Sequence, residues 1–278
     1  VHSTLSVDSS LSLREICEIA LEKKIDRVAV TNHLVPISSG SGRKIMWELT
    51  PPITIDAPPD LWKKHFEEFK AVREDFPQLT LAFGIEADFY APILSELKAL
   101  LEAVPFDFVL GSTHYLNKYC ISFREACAAY LKENALETYL KHYFEMSREA
   151  AASGLFDSMA HLDYCLEAPA ELGMKIELRD YEEFAKKSID EIARRKMAIE
   201  VNSCGLRKAV KNTFPSFELL EYAYAAGVPA VTIGSDAHRA GEIDFGLREA
   251  VEVAKKAGFE NAWFFVERKP VEIPLSSL

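Results

Sequence analysis

Short apolar runs alternate along the chain with longer stretches whose apolar residues recur at helical spacing. Ser12 to Lys23 places Leu13, Ile16, Cys17, Ile19, Ala20 and Leu21 on a helical stripe, and Ser12 with Glu15 predicts a capping box at its start. Further helices are predicted over 61–75, 93–104, 125–153, 181–195, 217–226 and 247–257, with Gly154 and Gly227 as stops. Strands are predicted at 27–31, 79–85, 106–110, 155–160, 197–201 and 228–233, with another at 262–266. This alternation predicts βα units around a parallel sheet. Val1-His2 reads as the tail of a seventh strand before the C-terminal run. One segment breaks the rhythm: 36–60 carries Pro36, Gly40, Gly42, Pro51, Pro52, Pro58 and Pro59, with Trp47 in it and Trp62 beside it. Long loops in compact domains tend to be functional, so it reads as an ordered lid inserted in a single domain spanning 1–278.

The polar residues that follow the strands carry the chemistry. His33 follows the first, Glu86 the second, His114 the third, and His161 with Asp163 the fourth. Asn202 and Arg207 follow the fifth, and Asp236-Ala-His238 the sixth, while the opening supplies His2 and Asp8. In parallel α/β barrels the C-terminal strand ends converge on the active site. Five of the seven histidines lie at such positions, where chance would place about one. His65 and His142 fall on predicted helices and read as surface residues. Carboxylates next to apolar runs need cations or hydrogen bonds. With imidazoles they suit zinc, manganese or iron. Asp236 and His238 would point the same way in a strand. Eight candidate ligands, His2, Asp8, His33, Glu86, His114, His161, Asp236 and His238, call for about two or three divalent ions.

Charge and composition narrow the partners. Lys plus Arg total 32 against 43 Asp plus Glu, a net charge of −11, which argues against a general nucleic-acid binder. Five cysteines without a C-x-x-C exclude a zinc ribbon and read as reduced thiols of a cytoplasmic protein. No apolar run reaches the roughly 18–20 residues of a membrane span, so no membrane partner is expected.

The motifs together resemble the polymerase-and-histidinol-phosphatase (PHP) domain family. They are His2-Ser-Thr, Thr31-Asn-His33, Gly84-Ile-Glu86, Gly111-Ser-Thr-His114-Tyr, Ala160-His161-Leu-Asp163 and Gly234-Ser-Asp236-Ala-His238. Each is weak alone, but all six occur in the family's order across nearly the whole chain. The runs from Phe106 to Leu116 and from Ile199 to Lys208, followed by Phe214-Pro-Ser216, look most like the histidinol-phosphatase branch. The resemblance implies a distorted (β/α)7 barrel with a trinuclear metal site at the C-terminal ends of the strands. It implies His2, Glu86 and Asp236 at one metal, Asp8, His33 and His238 at a second, and His114 and His161 at a third that Glu86 bridges. The family opens with His-x-His, and His2 matches its second His, so the first would lie one residue upstream of Val1. Asp8 stands where many members of this branch have His.

The expected activity is hydrolysis of a small phosphorylated metabolite, L-histidinol phosphate, by a hydroxide bridging the metals. Arg207 can grip phosphate in a bidentate fork, with Asn202 and Lys208 as further substrate contacts. Replacing Arg207 by Ala should mainly weaken phosphate binding, and His114→Ala should lose metal and activity. Asp8, His238 or Asp163 are the candidates to protonate the leaving alkoxide, and Asp163 also suits orienting a ligand. Glu48, Asp56 and Asp60 of the lid are candidates for the substrate's cationic groups. The alternatives are a PHP phosphoesterase acting on nucleotides or sugar phosphates, a nuclease, and a non-catalytic metal-binding barrel.

Overall fold

A computed structural model describes every residue except Gly42, Asp56 and Ala57. In chain order the strands are β1 (Arg27–Leu34), β2 (Pro36–Ser38), β3 (Ile53–Ile55), β4 (Thr80–Asp88), β5 (Phe108–Ser112), β6 (Tyr115–Leu116), β7 (Tyr119–Cys120), β8 (Ser158–Met159), β9 (Ala198–Asn202), β10 (Val231–Gly234), β11 (Asn261–Val266) and β12 (Lys269–Pro274). The helices are α1 (Leu13–Glu22), α2 (Pro59–Asp75), α3 (Leu94–Ala103), α4 (Arg124–Glu133), α5 (Leu136–Ser153), α6 (Glu167–Glu171), α7 (Glu182–Arg194), α8 (Phe217–Ala225) and α9 (Leu247–Ala257). No helix among the described residues is long and apolar enough to cross a membrane.

The main sheet runs β1-β4-β5-β8-β9-β10-β11-β12, parallel throughout except for the last pair. The central strands are buried along most of their length, as parallel strands covered on both faces are. Asn261–Val266 is therefore the seventh parallel strand, where the opening residues were expected to supply one. The opening instead lies between β1 and the end of β10 without forming a strand. Thr31 N donates to Val1 O (2.8 Å), and His2 N donates to Ala237 O (2.9 Å).

Local signals explain most element ends. Ser12 and Glu15 form the expected reciprocal capping box. Gly154 ends α5 at φ 70°, where a side chain would be strained. The single helix expected over 125–153 is two, because Asn134 leaves helical geometry and its side-chain amide donates to Tyr130 O (3.0 Å). The unforeseen hairpin β11–β12 turns at Glu267 and Arg268, both at positive φ. Arg268 reaches Asp157 (2.6 Å), and Glu267 N donates to Asp107 (3.0 Å), which fastens the hairpin to the starts of β8 and β5.

The 36–60 segment is packed down. β2 and β3 pair, and Val35, Ile37 and Leu49 are buried against Tyr90, Tyr115 and Cys120. Trp62 is buried on α2, edge-on to Phe106, but Trp47 is 46% exposed. The five cysteines are buried and free.

Candidate metal centre

Strand register does much of the assembly. β1 and β4 align so that His33 lies opposite Glu86. His114 follows β5, His161 follows β8, and Asp236 and His238 follow β10. All the expected ligands meet around the buried Glu86 carboxylate. Its Oε1 lies 3.1 Å from His161 Nε2 and 3.6 Å from His114 Nε2, and its Oε2 lies 3.4 Å from His2 Nε2 and 3.7 Å from His33 Nδ1. His2 Nε2 is also 3.0 Å from Asp236. Asp8 lies 3.4 Å from His238 and 3.6 Å from His33, whose Nε2 atoms are 3.3 Å apart.

Two segments adopt strained backbone to do this. His161 sits at φ 22° and Asp236 at φ 51°, conformations that cost non-glycine residues of order 1 kcal/mol. Asp236 and His238 lie past the end of β10, as expected, but not in the extended geometry in which they would point the same way. Buried partners hold both places. His161 N donates to Glu200 (3.0 Å), while Arg207 donates to Ser235 O and Asp236 O (both 2.7 Å). A Cβ on Gly234 would fall 2.1 Å from Glu200, so glycine is what lets that carboxylate in.

The donor set fits cations. Among the described residues, potential ligand atoms converge in three groups, His2–Glu86–Asp236, Glu86–His114–His161 and His2–His33–His238, each within 4.8 Å. His238 Nδ1 donates to Asp236 O (3.0 Å) and His114 Nδ1 to Asp88 (3.0 Å), which turns both Nε2 atoms towards the cluster. The buried Nδ1 atoms of His2, His33 and His161 have no hydrogen-bond partner among the described residues. Burial, helped by His33 and His238, pushes His2 down to about 3, so its ring is neutral, the form that ligates. Burial opposes protonation of His114, but Asp88 and then Glu86 lift it to about 9. Burial alone would raise Glu86 and Asp236, yet the surrounding imidazoles hold both below the ordinary carboxylate range. Two ionised buried carboxylates ringed by imidazoles are a site for positive charge.

A cavity of about 500 Å³ opens over the cluster, lined among others by His33, His114, Tyr164, Arg207, Lys208 and Glu242. Lys208 Nζ donates to Tyr164 OH (3.3 Å). Asn202 is not among the lining residues. Its amide is buried, donating to Glu200 (2.9 Å) and accepting from Cys204 N (2.9 Å). Asp163 also sits behind the wall, where Oδ2 accepts from Ser216 N (2.9 Å) and burial lifts its carboxyl to about 7. Glu48 pairs with Lys118 (2.5 Å) away from the cavity, Asp60 is exposed, and Asp56 lies outside the described residues.

Both helical histidines depart from expectation. His65 is 5% exposed, with Nε2 3.1 Å from Asn32 Nδ2. The Asn32 carbonyl accepts from Ser3 and Ser6, so it ties down the turn between His2 and Asp8. His142 is half-buried against Tyr130 OH (2.5 Å). Sequence reasoning also passed over Asp88, although it lies two residues after Glu86 on the same strand, the spacing that sends side chains to one face.

The sequence matches the PHP domain over residues 1–204. The chain belongs to the PHP domain family. Asp236 and His238 lie beyond that match, but similarity to individual proteins spans most of the chain. A Deinococcus radiodurans protein named "Probable histidinol-phosphatase" is 29% identical over 95% of this chain and 94% of its own. A Clostridium acetobutylicum protein of the same name is 25% identical over 95% and 94%. The crystal structure of histidinol phosphate phosphatase from Lactococcus lactis, complexed with zinc, L-histidinol and phosphate, shares the fold with a TM-score of 0.74 at 19% identity, covering 97% of this chain and 96% of that one.

Within this PHP chain, Asp88 offers a direct check. Asp88→Asn keeps the shape and removes the charge that fixes the His114 ring. Metal affinity is expected to fall about 10–100-fold with the fold intact, read by titrating stripped protein with zinc. Unaltered affinity would remove the orienting role.

Proposed function

We propose that this chain is a metal-dependent histidinol-phosphatase of the cytoplasm, hydrolysing L-histidinol phosphate to L-histidinol and phosphate in histidine biosynthesis. The observation that carries the reading is the Glu86 carboxylate shared between histidine clusters on the floor of a cavity rimmed by Arg207 and Lys208. Similarity over nearly the whole chain to proteins named as histidinol-phosphatases supports the choice of substrate. His2, Glu86 and Asp236 would hold one divalent ion, Asp8, His33 and His238 a second, and Glu86 with His114 and His161 a third. Bound divalent ions supply Lewis acidity, polarising phosphoryl oxygens and making water a competent nucleophile near neutral pH.

The chain's own residues do the rest. Arg207, anchored by Ser235 O and Asp236 O, turns its remaining N–H groups to the phosphate. Lys208, steadied by Tyr164, adds a second positive charge. The alkoxide of histidinol is a poor leaving group and needs a proton. Asp8 and His238 lie 3.4 Å apart on the cavity wall; as metal ligands they would carry no proton of their own, so the proton would come from cavity water that they orient. Asp163, behind the wall, supports the segment next to His161 instead.

The test is phosphate release from L-histidinol phosphate beside a panel of nucleotides, sugar phosphates and single-stranded DNA, with manganese or zinc. The kcat/KM for L-histidinol phosphate is expected to exceed the panel by at least about a hundredfold. Equal, low rates on every compound would withdraw the histidinol assignment.

A further inference from the structure

Three carboxylates line the cavity among the described residues: Asp8, Asp236 and Glu242. The first two belong to the metal clusters. Glu242 does not. Its Oε2 accepts from His238 N (2.9 Å) and stands 3.6 Å from Arg207 Nη2, and both side chains are about one-fifth open, at 21% and 20%. Its Oε1 makes no hydrogen bond with the described residues. The lid carboxylate Glu48 is committed to Lys118 outside the cavity. A phosphate drawn to Arg207 would therefore compete with the Glu242 carboxylate for one guanidinium and bring two negative groups together, unless the same substrate brings a cation with it.

We infer that Glu242 is the specificity-determining residue that binds the substrate's ammonium group, so that the Arg207–Glu242 pair reads a 2-aminoalkyl phosphate monoester. In that class the ester oxygen and the ammonium are two carbons apart, which matches two opposite charges held side by side. The inference rests on the phosphatase reading above and deepens it. Selectivity comes from both directions. An amine-bearing substrate gains a charge-assisted hydrogen bond, while an amine-free phosphate meets carboxylate repulsion.

The experiment compares two substrate pairs on the metal-loaded enzyme: L-histidinol phosphate against its deamino analogue, and 2-aminoethyl phosphate against ethyl phosphate. The parent protein is expected to prefer the amine-bearing member of each pair by at least about tenfold. Glu242→Gln keeps an oxygen for His238 N but removes the charge. It is expected to lower kcat/KM for the amine-bearing members about 10–100-fold, mainly through KM, and to bring each preference towards one. Glu242→Asp, which keeps the charge, should retain the preference. Equal losses on both members of a pair in Glu242→Gln would leave Glu242 a scaffold for His238 and overturn the inference, as would a parent enzyme with no preference. Poor turnover of L-histidinol phosphate alongside an amine preference that Glu242→Gln abolishes would instead reject the histidinol assignment and keep the Glu242 role.

Discussion

Glu86→Gln should strip the protein of most of its bound metal and lower kcat for phosphate release at least about 10²–10³-fold, the scale on which one electrostatic contact to a developing charge acts. The reason is position. Each Glu86 oxygen serves a different histidine group, Oε1 facing His114 and His161 and Oε2 facing His2 and His33. Glutamine keeps the shape, but it brings an amide nitrogen that cannot ligate and a neutral oxygen in place of half a carboxylate. The loss therefore spreads over more than one ion. Metal content by elemental analysis should fall with activity, while the fold, read by circular dichroism, persists, because the surrounding core is independent of the site. A Glu86→Gln protein with full metal content would contradict the shared-ligand reading.

Arg207→Ala should do more than the phosphate-binding loss expected from sequence. Two of its N–H groups hold Ser235 O and Asp236 O, and its guanidinium packs over Phe245 with 5.6 Å to the ring centroid. Asp236 is in a strained backbone state that needs such a tether. KM for the phosphate ester is expected to rise about 10–100-fold, and kcat to drop as well, because Asp236 is no longer held against His2. Arg207→Lys should rescue little, since an ammonium cannot span two carbonyls in a fixed fork. A rise in KM with unchanged kcat would assign Arg207 to phosphate alone and remove its role in positioning Asp236.

The convergence of the candidate ligands was legible because strand ends in a parallel sheet converge whatever the detailed twist, so His33, Glu86, His114, His161 and His238 could be brought together by order alone. What escaped depends on tertiary partners. His65 looks like any polar residue on an amphipathic helix; only the packing of α2 over β4, with Asn32 on the neighbouring β1, buries it. Asp163 and Asn202 sit in motifs that read as catalytic, yet Asn202, the last residue of β9, spends its amide on Glu200 and Cys204, and the turn after β8 carries Asp163 into the wall. No periodicity reports such a turn. Asp88 was available from the two-residue strand period but was overshadowed by Glu86. Glu242 lies in a loop after the last motif, and its meaning comes only from the 3.6 Å approach to Arg207. The break at Asn134 was readable in retrospect from an asparagine's weak helix preference. The closing hairpin was less so, because the burial along β12 is slight.

The most direct measurement is phosphate release from L-histidinol phosphate while chelator-stripped protein is titrated with zinc or manganese, counting bound ions at each step. Activity should be absent in the stripped protein. It should rise with occupancy and saturate at about two to three ions per chain, the number that ligands shared at four to six per cation can hold. Full activity in metal-free protein, or complete metal binding with no phosphate released, would contradict the account.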